Sequence, residues 1–223
     1  MLRKQKTPKE KVSSLYFTIS NVFRVLLIIA LVIEVFNGRW MLFFVTLLAL
    51  FLSCFPYFFE KRYRMHIPPE IHAFIVIFIY ASIYLGEVHD FYYRFWWWDS
   101  VLHAVSGFVL GIIGFGILYA LFKGKKLSAK PGTIVFLSFC FALAMGTIWE
   151  IFEFAMDTFF GLNMQKVHIG TGVTDTMIDL ILDALGALVA SILGYFYLKK
   201  GDSKIYNRLV TYFEKKNPEL FKK

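Results

Sequence analysis

WDSVLHAVSGFVLGIIGFGILYALF, residues 98–122, decides the fold. A bilayer-crossing helix needs roughly 20 mostly apolar residues, and this run exceeds that while carrying one carboxylate, Asp99, and one histidine, His103. Five further stretches are comparable: about Tyr16–Phe36, Trp40–Phe59, Ile71–Val88, Thr133–Phe159 and Thr174–Leu198. The sequence therefore predicts an all-α polytopic membrane protein of six transmembrane helices. Composition agrees. Hydrophobic residues make up 58%, charged ones 18%, and mean hydropathy is +0.60, against about 45–50% and 25% in a soluble domain. A disordered chain, a collagen-like chain and a small disulfide scaffold are excluded, and a soluble enzyme is disfavoured. Cys54 and Cys140 lie inside apolar runs and read as small buried hydrophobes, outside any CxxC metal pattern. The first stretch is preceded by basic residues but is too long for a signal core and lacks a small-x-small cleavage site, so it reads as a retained span. It carries Arg24 and Glu34, which leaves an interfacial amphipathic helix as the alternative there.

Lys and Arg give the orientation. Arg3, Lys4, Lys6, Lys9 and Lys11 precede the first span, Lys61, Arg62 and Arg64 follow the second, and Lys123, Lys125, Lys126 and Lys130 follow the fourth. Lys199, Lys200, Lys204, Arg208, Lys215, Lys216, Lys222 and Lys223 follow the sixth. Against these the opposite side has Arg39, Arg94 and Lys166 alone. Both termini are therefore expected in the cytoplasm, with residues 1–15 a basic N-terminus, 16–198 the transmembrane domain and 199–223 a basic tail. The +8 net charge follows from this bias. It implies contact with anionic lipid headgroups and requires no nucleic-acid partner.

The carboxylates are distributed the other way. Glu34, Glu87, Asp90, Asp99, Glu150, Glu153, Asp157, Asp175, Asp179 and Asp183 all fall in the outer loops or outer halves of spans. His89, His103 and His168 fall there too, whereas His66 and His72 lie at the basic side and are given no role. A charge within a span costs on the order of 2.5–3.5 kcal/mol even on insertion scales, so several together need a reason. Spacing supplies one. Asp99 and His103 are four apart on one helical face. Glu150, Glu153 and Asp157 fall within a ~60° arc, and Asp175, Asp179 and Asp183 within ~80°, at about 100° per residue. Three such stripes must face one another, because lipid would not tolerate them.

Seven or so carboxylates gathered in a low-dielectric cleft need protons or a cation. A divalent metal is the economical solution, and the expected ligands are Asp99, His103, Glu150, Glu153, Asp157, Asp175, Asp179 and Asp183. Mixed carboxylate and imidazole donors suit zinc, manganese, iron or magnesium. Glu153 is the expected general base, and His103 a ligand or proton shuttle. For each the plainer alternative is a helix cap (Asp99, Asp175) or a solvated end (Asp157, Glu34). For Glu150, Asp179, Asp183 and His103 it is a proton-sharing structural network.

Gly107, Gly111 and Gly114 in the fourth span, and Gly186, Ala190 and Gly194 in the sixth, form stripes that let helices approach closely. The run FYYRFWWW, Phe91–Trp98, reads as an interfacial aromatic belt. The loop Gly161–Val173 is placed to cover the cleft.

The segments WWWDSVLHAVSGF (Trp96–Phe108), GTIWEIFEFAMD (Gly146–Asp157) and GVTDTMIDLILDALGA (Gly172–Ala187) resemble the YjdF family of prokaryotic inner-membrane proteins. The last is also similar, more distantly, to VanZ-like proteins. The resemblance covers about Glu87 to Gly194. It implies the cytoplasmic (inner) membrane and supplies no substrate.

Three functions fit these residues. The first is a metal-dependent hydrolase or transferase acting on a lipid or lipid-linked envelope substrate. The second is a non-enzymatic lipid- or partner-binding membrane protein. The third is a divalent-cation or proton transporter, weakened because the cytoplasmic halves of the spans are nearly free of acids and no inverted repeat is visible. No Ser-His-Asp set, Walker loop or H-E-x-x-H motif is present. Oligomeric state is not encoded in any feature above.

Overall fold

A computed structural model describes residues 8–125, 127–165, 172–201 and 203–221. Among these the chain is helix and loop, without a strand. The helices are α1 (Pro8–Phe36), α2 (Trp40–Ser53), α3 (Phe55–Tyr63), α4 (Pro69–Ile79), a π-helical continuation (Tyr80–Val88), α5 (Phe91–Arg94), α6 (Trp98–Lys123), α7 (Pro131–Phe160), α8 (Gly172–Lys200) and α9 (Lys204–Lys216), closed by a 3₁₀ turn (Pro218–Phe221). Six segments are long and apolar enough to cross a membrane: Ser14–Phe36, Trp40–Tyr63, Pro69–Val88, Trp98–Lys123, Pro131–Phe160 and Gly172–Lys200. They extend the six expected spans by a few residues. Large apolar side chains such as Phe44, Phe51, Ile151 and Phe154 stand 45% exposed or more, as suits helices whose solvent is lipid.

The local signals are legible. Pro69 and Pro131 open α4 and α7, where a missing N–H costs nothing. Gly161 ends α7 at φ +66°, a left-handed conformation that glycine adopts without a Cβ penalty. Arg39 after Gly38 turns the chain from α1 into α2. Ser203 caps α9, its hydroxyl accepting from the Tyr206 amide.

The chain forms two compact units, Met1–Trp98 and Asp99–Lys223. In the first, α1 packs on α2 and α4, and the two ionisable residues within its apolar stretch, Arg24 and Glu34, turn inward. Between α2 and α3 the Tyr57 amide bonds to the Cys54 carbonyl at 3.1 Å. The Ser53 carbonyl is taken instead by the Arg24 guanidinium, at 2.7 Å. The same nitrogen lies 3.0 Å from His72 Nε2. Because arginine only donates, that imidazole nitrogen is the acceptor. Glu34 is 2% exposed and accepts a 3.0 Å hydrogen bond from the Thr46 hydroxyl. These inward partners suit α1 as a packed span. Thr46→Val removes the hydrogen-bond donor recorded for a buried carboxyl group. The expected cost is about 1–3 kcal/mol of stability, measurable by thermal unfolding in detergent against Glu34→Gln/Thr46→Val, in which the buried carboxyl group is also gone.

In the second unit, α6, α7 and α8 carry the polar stripes, and α7 and α8 pack along their length. The α6–α8 approach depends on small residues. A Cβ at Gly107 would strike the Asp183 backbone, one at Gly111 would lie 2.7 Å from the Ala190 Cβ, and one at Gly186 would strike the Ala104 carbonyl of α6. The tail folds back on this unit. Tyr206 is 1% exposed and donates 2.9 Å to the Ala190 carbonyl. Burial pushes its phenol well above the ordinary range, so it stays a neutral donor. Glu214 of α9 accepts from Tyr119 at 2.8 Å and pairs with Lys123 at 2.5 Å, both at the end of α6.

Candidate metal centre

The site lies among α6, α7 and α8, with His103 in the middle. His103, Glu150, Glu153, Asp179 and Asp183 are each at most 6% exposed; Asp99 is half-buried. The i,i+4 step from Asp99 to His103 puts both on one face of α6, and Ser106, one turn on, joins them. Asp179 and Asp183 repeat that step on α8.

The two ring nitrogens of His103 have different surroundings. Nδ1 lies 3.3 Å from Asp183 Oδ2. The other oxygen of Asp183 accepts from the Ser106 hydroxyl at 2.9 Å, whose proton is shared with the His103 carbonyl at 2.8 Å. With Nδ1 donating to Asp183, the ring is either the Nδ1–H tautomer, whose Nε2 lone pair is free for a cation, or an imidazolium that donates from both nitrogens. Nε2 faces three more carboxylates: Asp99 Oδ1 at 3.8 Å, Glu150 Oε1 at 3.8 Å and Asp179 Oδ2 at 3.9 Å.

These separations are informative. At 3.8–3.9 Å they are too long for hydrogen bonds. Two ligand atoms each about 2.0–2.2 Å from one zinc ion stand roughly 3.3–3.6 Å apart at the tetrahedral angle, so these carboxylates flank Nε2 at ion-pair distance, a few tenths of an ångström wider than a shared ion would hold them. Both oxygens of Glu150 and Oδ2 of Asp179 are buried without a hydrogen-bond partner among the described residues. Buried carboxylate oxygens left so are costly unless something else neutralises them. Asp99, His103 and Asp179 offer ligand atoms all within 4.8 Å of one another and could hold a metal ion. The residues present therefore fit a divalent cation.

Asp183 stands on the far ring nitrogen, where it orients the imidazole. Carboxylate–histidine–metal arrangements work in this way, the outer carboxylate fixing the tautomer and raising the basicity of the ligand nitrogen. Its carboxylate fits there because Gly146 on α7 has no Cβ to meet it.

Two of the remaining stripe residues also make local hydrogen bonds. Glu153 accepts 2.8 Å from the Trp149 indole N–H one turn earlier. Asp157 binds the amides of Met164 and Gln165 at 2.6 and 2.9 Å, tying the chain after α7 back to its last turn. Gln165 then donates 2.9 Å to Thr176 at the start of α8. Asp175 lies in the first turn of α8. Lys166, His168 and the middle of the 161–173 loop lie outside the described residues. Sequence reasoning missed Ser106 and Gly146. The signal was present for both, since Ser106 is three residues after His103 and Gly146 four before Glu150, each on the polar face.

A curated relative from Thermotoga maritima, described as an uncharacterised protein, is 30% identical over 141 residues, covering 63% of this chain and 69% of its own length. No solved structure matches the chain. The family model "Predicted membrane protein (DUF2238)" matches residues 19–200. That match covers all but the edges of the six apolar helices and the whole His103 cluster, and by it the chain belongs to the DUF2238 family of predicted membrane proteins.

Proposed function

We propose that this chain is a metal-dependent membrane enzyme whose site opens on the extracytoplasmic side of a prokaryotic inner membrane, and that it hydrolyses or transfers a group on a lipid or lipid-linked substrate. The observation that supports this best is the division of labour at His103: Asp183 and Ser106 hold one ring nitrogen, and the other meets Asp99, Glu150 and Asp179 at 3.8–3.9 Å. The sidedness rests on the Lys and Arg distribution, which puts both termini in the cytoplasm. The YjdF resemblance agrees with a family of inner-membrane proteins.

Asp99, His103 and Asp179, with Glu150 beside them, would hold a divalent ion, which would supply a Lewis acid for a phosphoryl or carbonyl oxygen and lower the pKa of bound water. The protein's own part is orientation and proton handling. Asp183 keeps His103 in the Nδ1–H tautomer. Glu153, one turn beyond Glu150 on α7, is the base that takes a proton, with the Trp149 N–H holding its carboxylate in place.

Elemental analysis of detergent-purified protein tests the reading. The expected result is one or two equivalents of a divalent metal, retained through gel filtration. Absence of metal after incubation with zinc, manganese, iron and magnesium salts sinks it and leaves a proton-sharing network.

A further inference from the structure

A groove of about 450 Å³ runs along the α7–α8 seam from Gly172 to Leu180, at the end of the unit that holds the site. At 1.5 Å per residue that is roughly 12 Å of α8. Its walls include Ile151, Phe154, Met177 and Leu180, and its polar lining residues are Thr147, Glu150, Gln165 and Thr176. A second groove of about 510 Å³ lies farther along the same seam, lined by Phe136, Leu188 and Ile192 among others. That one is an apolar crevice with no carboxylate. The first differs in reaching Glu150, a side chain 3% exposed whose two oxygens lack hydrogen-bond partners among the described residues.

We propose that the Glu150 groove is the substrate's entrance from the bilayer: it takes one hydrocarbon chain of a membrane lipid and brings that lipid's polar head to Glu150 and the His103 cluster. Three observations support this occupant. Both walls belong to membrane-spanning helices, so the medium outside the groove is lipid. Ile151, Phe154 and Met177 are more than half exposed along it, which is costly against water and favourable against an acyl chain. Glu150 brings into the groove a carboxylate that also faces His103 at 3.8 Å, which is where a headgroup would meet the cluster. Asp157 has a part here, because its grip on the Met164 and Gln165 amides is what places Gln165 against Thr176 at the groove's outer end. The proposal names the substrate class for the metal site and rests on that reading.

The test uses the full chain in nanodiscs containing a phosphatidylglycerol with a diazirine in one acyl chain. After irradiation and digestion, label is expected to concentrate on peptides carrying Ile151–Phe154 and Val173–Leu180. Met177→Trp, which fills the groove from an exposed position, is expected to cut that label severalfold. Leu188→Trp, which fills the apolar crevice, is expected to leave it unchanged. Label spread evenly over the outward faces of α7 and α8, or label unchanged in Met177→Trp, overturns the groove. Metal content measured on the same samples keeps the two proposals apart. Metal-free protein that is still labelled in the groove retains the lipid site and removes the metal; metal-loaded protein with even labelling does the reverse.

Discussion

Asp179→Asn is expected to lower divalent-metal affinity by more than about 100-fold while the protein remains folded. The reasoning starts from the loss typical of outer partners: removing a residue that only orients a ligand costs about 10–100-fold. Asp179 presents an unpartnered oxygen 3.9 Å from His103 Nε2 and is one of the proposed donors, so its loss should exceed that range. Asparagine keeps the shape and removes the charge. Asp183→Asn is the internal comparison. It touches Nδ1, on the far side of the ring, and should fall within the 10–100-fold range. Isothermal titration of metal-stripped protein measures both. Equal losses for the two variants would contradict the division between donors and orienter. Undiminished affinity in Asp179→Asn would remove Asp179 from the site.

Gly186→Val is expected to destabilise the second unit by at least about 3 kcal/mol, the upper end of ordinary overpacking. The side chain would be built into the Ala104 carbonyl and to within 2.7 Å of the Phe108 amide nitrogen. Both are backbone atoms of a helix, which cannot swing aside as a side chain can. α6 and α8 would have to part, and Asp183 would be drawn from His103. Thermal unfolding followed by near-UV circular dichroism should show the loss. Gly116→Ala is the control, because a Cβ there meets nothing within 4 Å; it should be neutral or stabilising by up to about 1 kcal/mol. A Gly186→Val protein as stable as the parent would mean that the two helices do not approach as described.

Much of this was readable from period alone. Carboxylates at i,i+4 on α8 and an Asp/His pair at i,i+4 on α6 announce a shared face, and hydrocarbon forbids that face from pointing outward. Hence the meeting of Asp99, His103, Glu150, Asp179 and Asp183 follows from spacing and depth. Period does not report which ring nitrogen a carboxylate reaches, so the separate position of Asp183 was invisible. Nor does it report local partners: Glu153 shares the arc of Glu150 and also accepts from Trp149, and Asp157 shares it and binds the amides of the following loop. Within the first unit the break between α2 and α3 went unread in the stretch Trp40–Phe59, although Pro56 in the first turn of α3 stands at it. Nothing in the side chains of Tyr80–Val88 marked the wider π turns, which depend on backbone accommodation by neighbours rather than on composition.

The clasp of Glu214 on Lys123 and Tyr119 makes the sidedness of the second unit readable from its C-terminal end. α6 is 26 residues long, roughly 39 Å at 1.5 Å per residue, and exceeds a hydrocarbon core of about 30 Å. Its two ends must therefore lie in different compartments. Because α9 is fastened to the Lys123 end, a fluorescent or phosphatase reporter fused after the tail shares that compartment. A single fusion then assigns the opposite compartment to Asp99, and with it the side from which His103 would be reached.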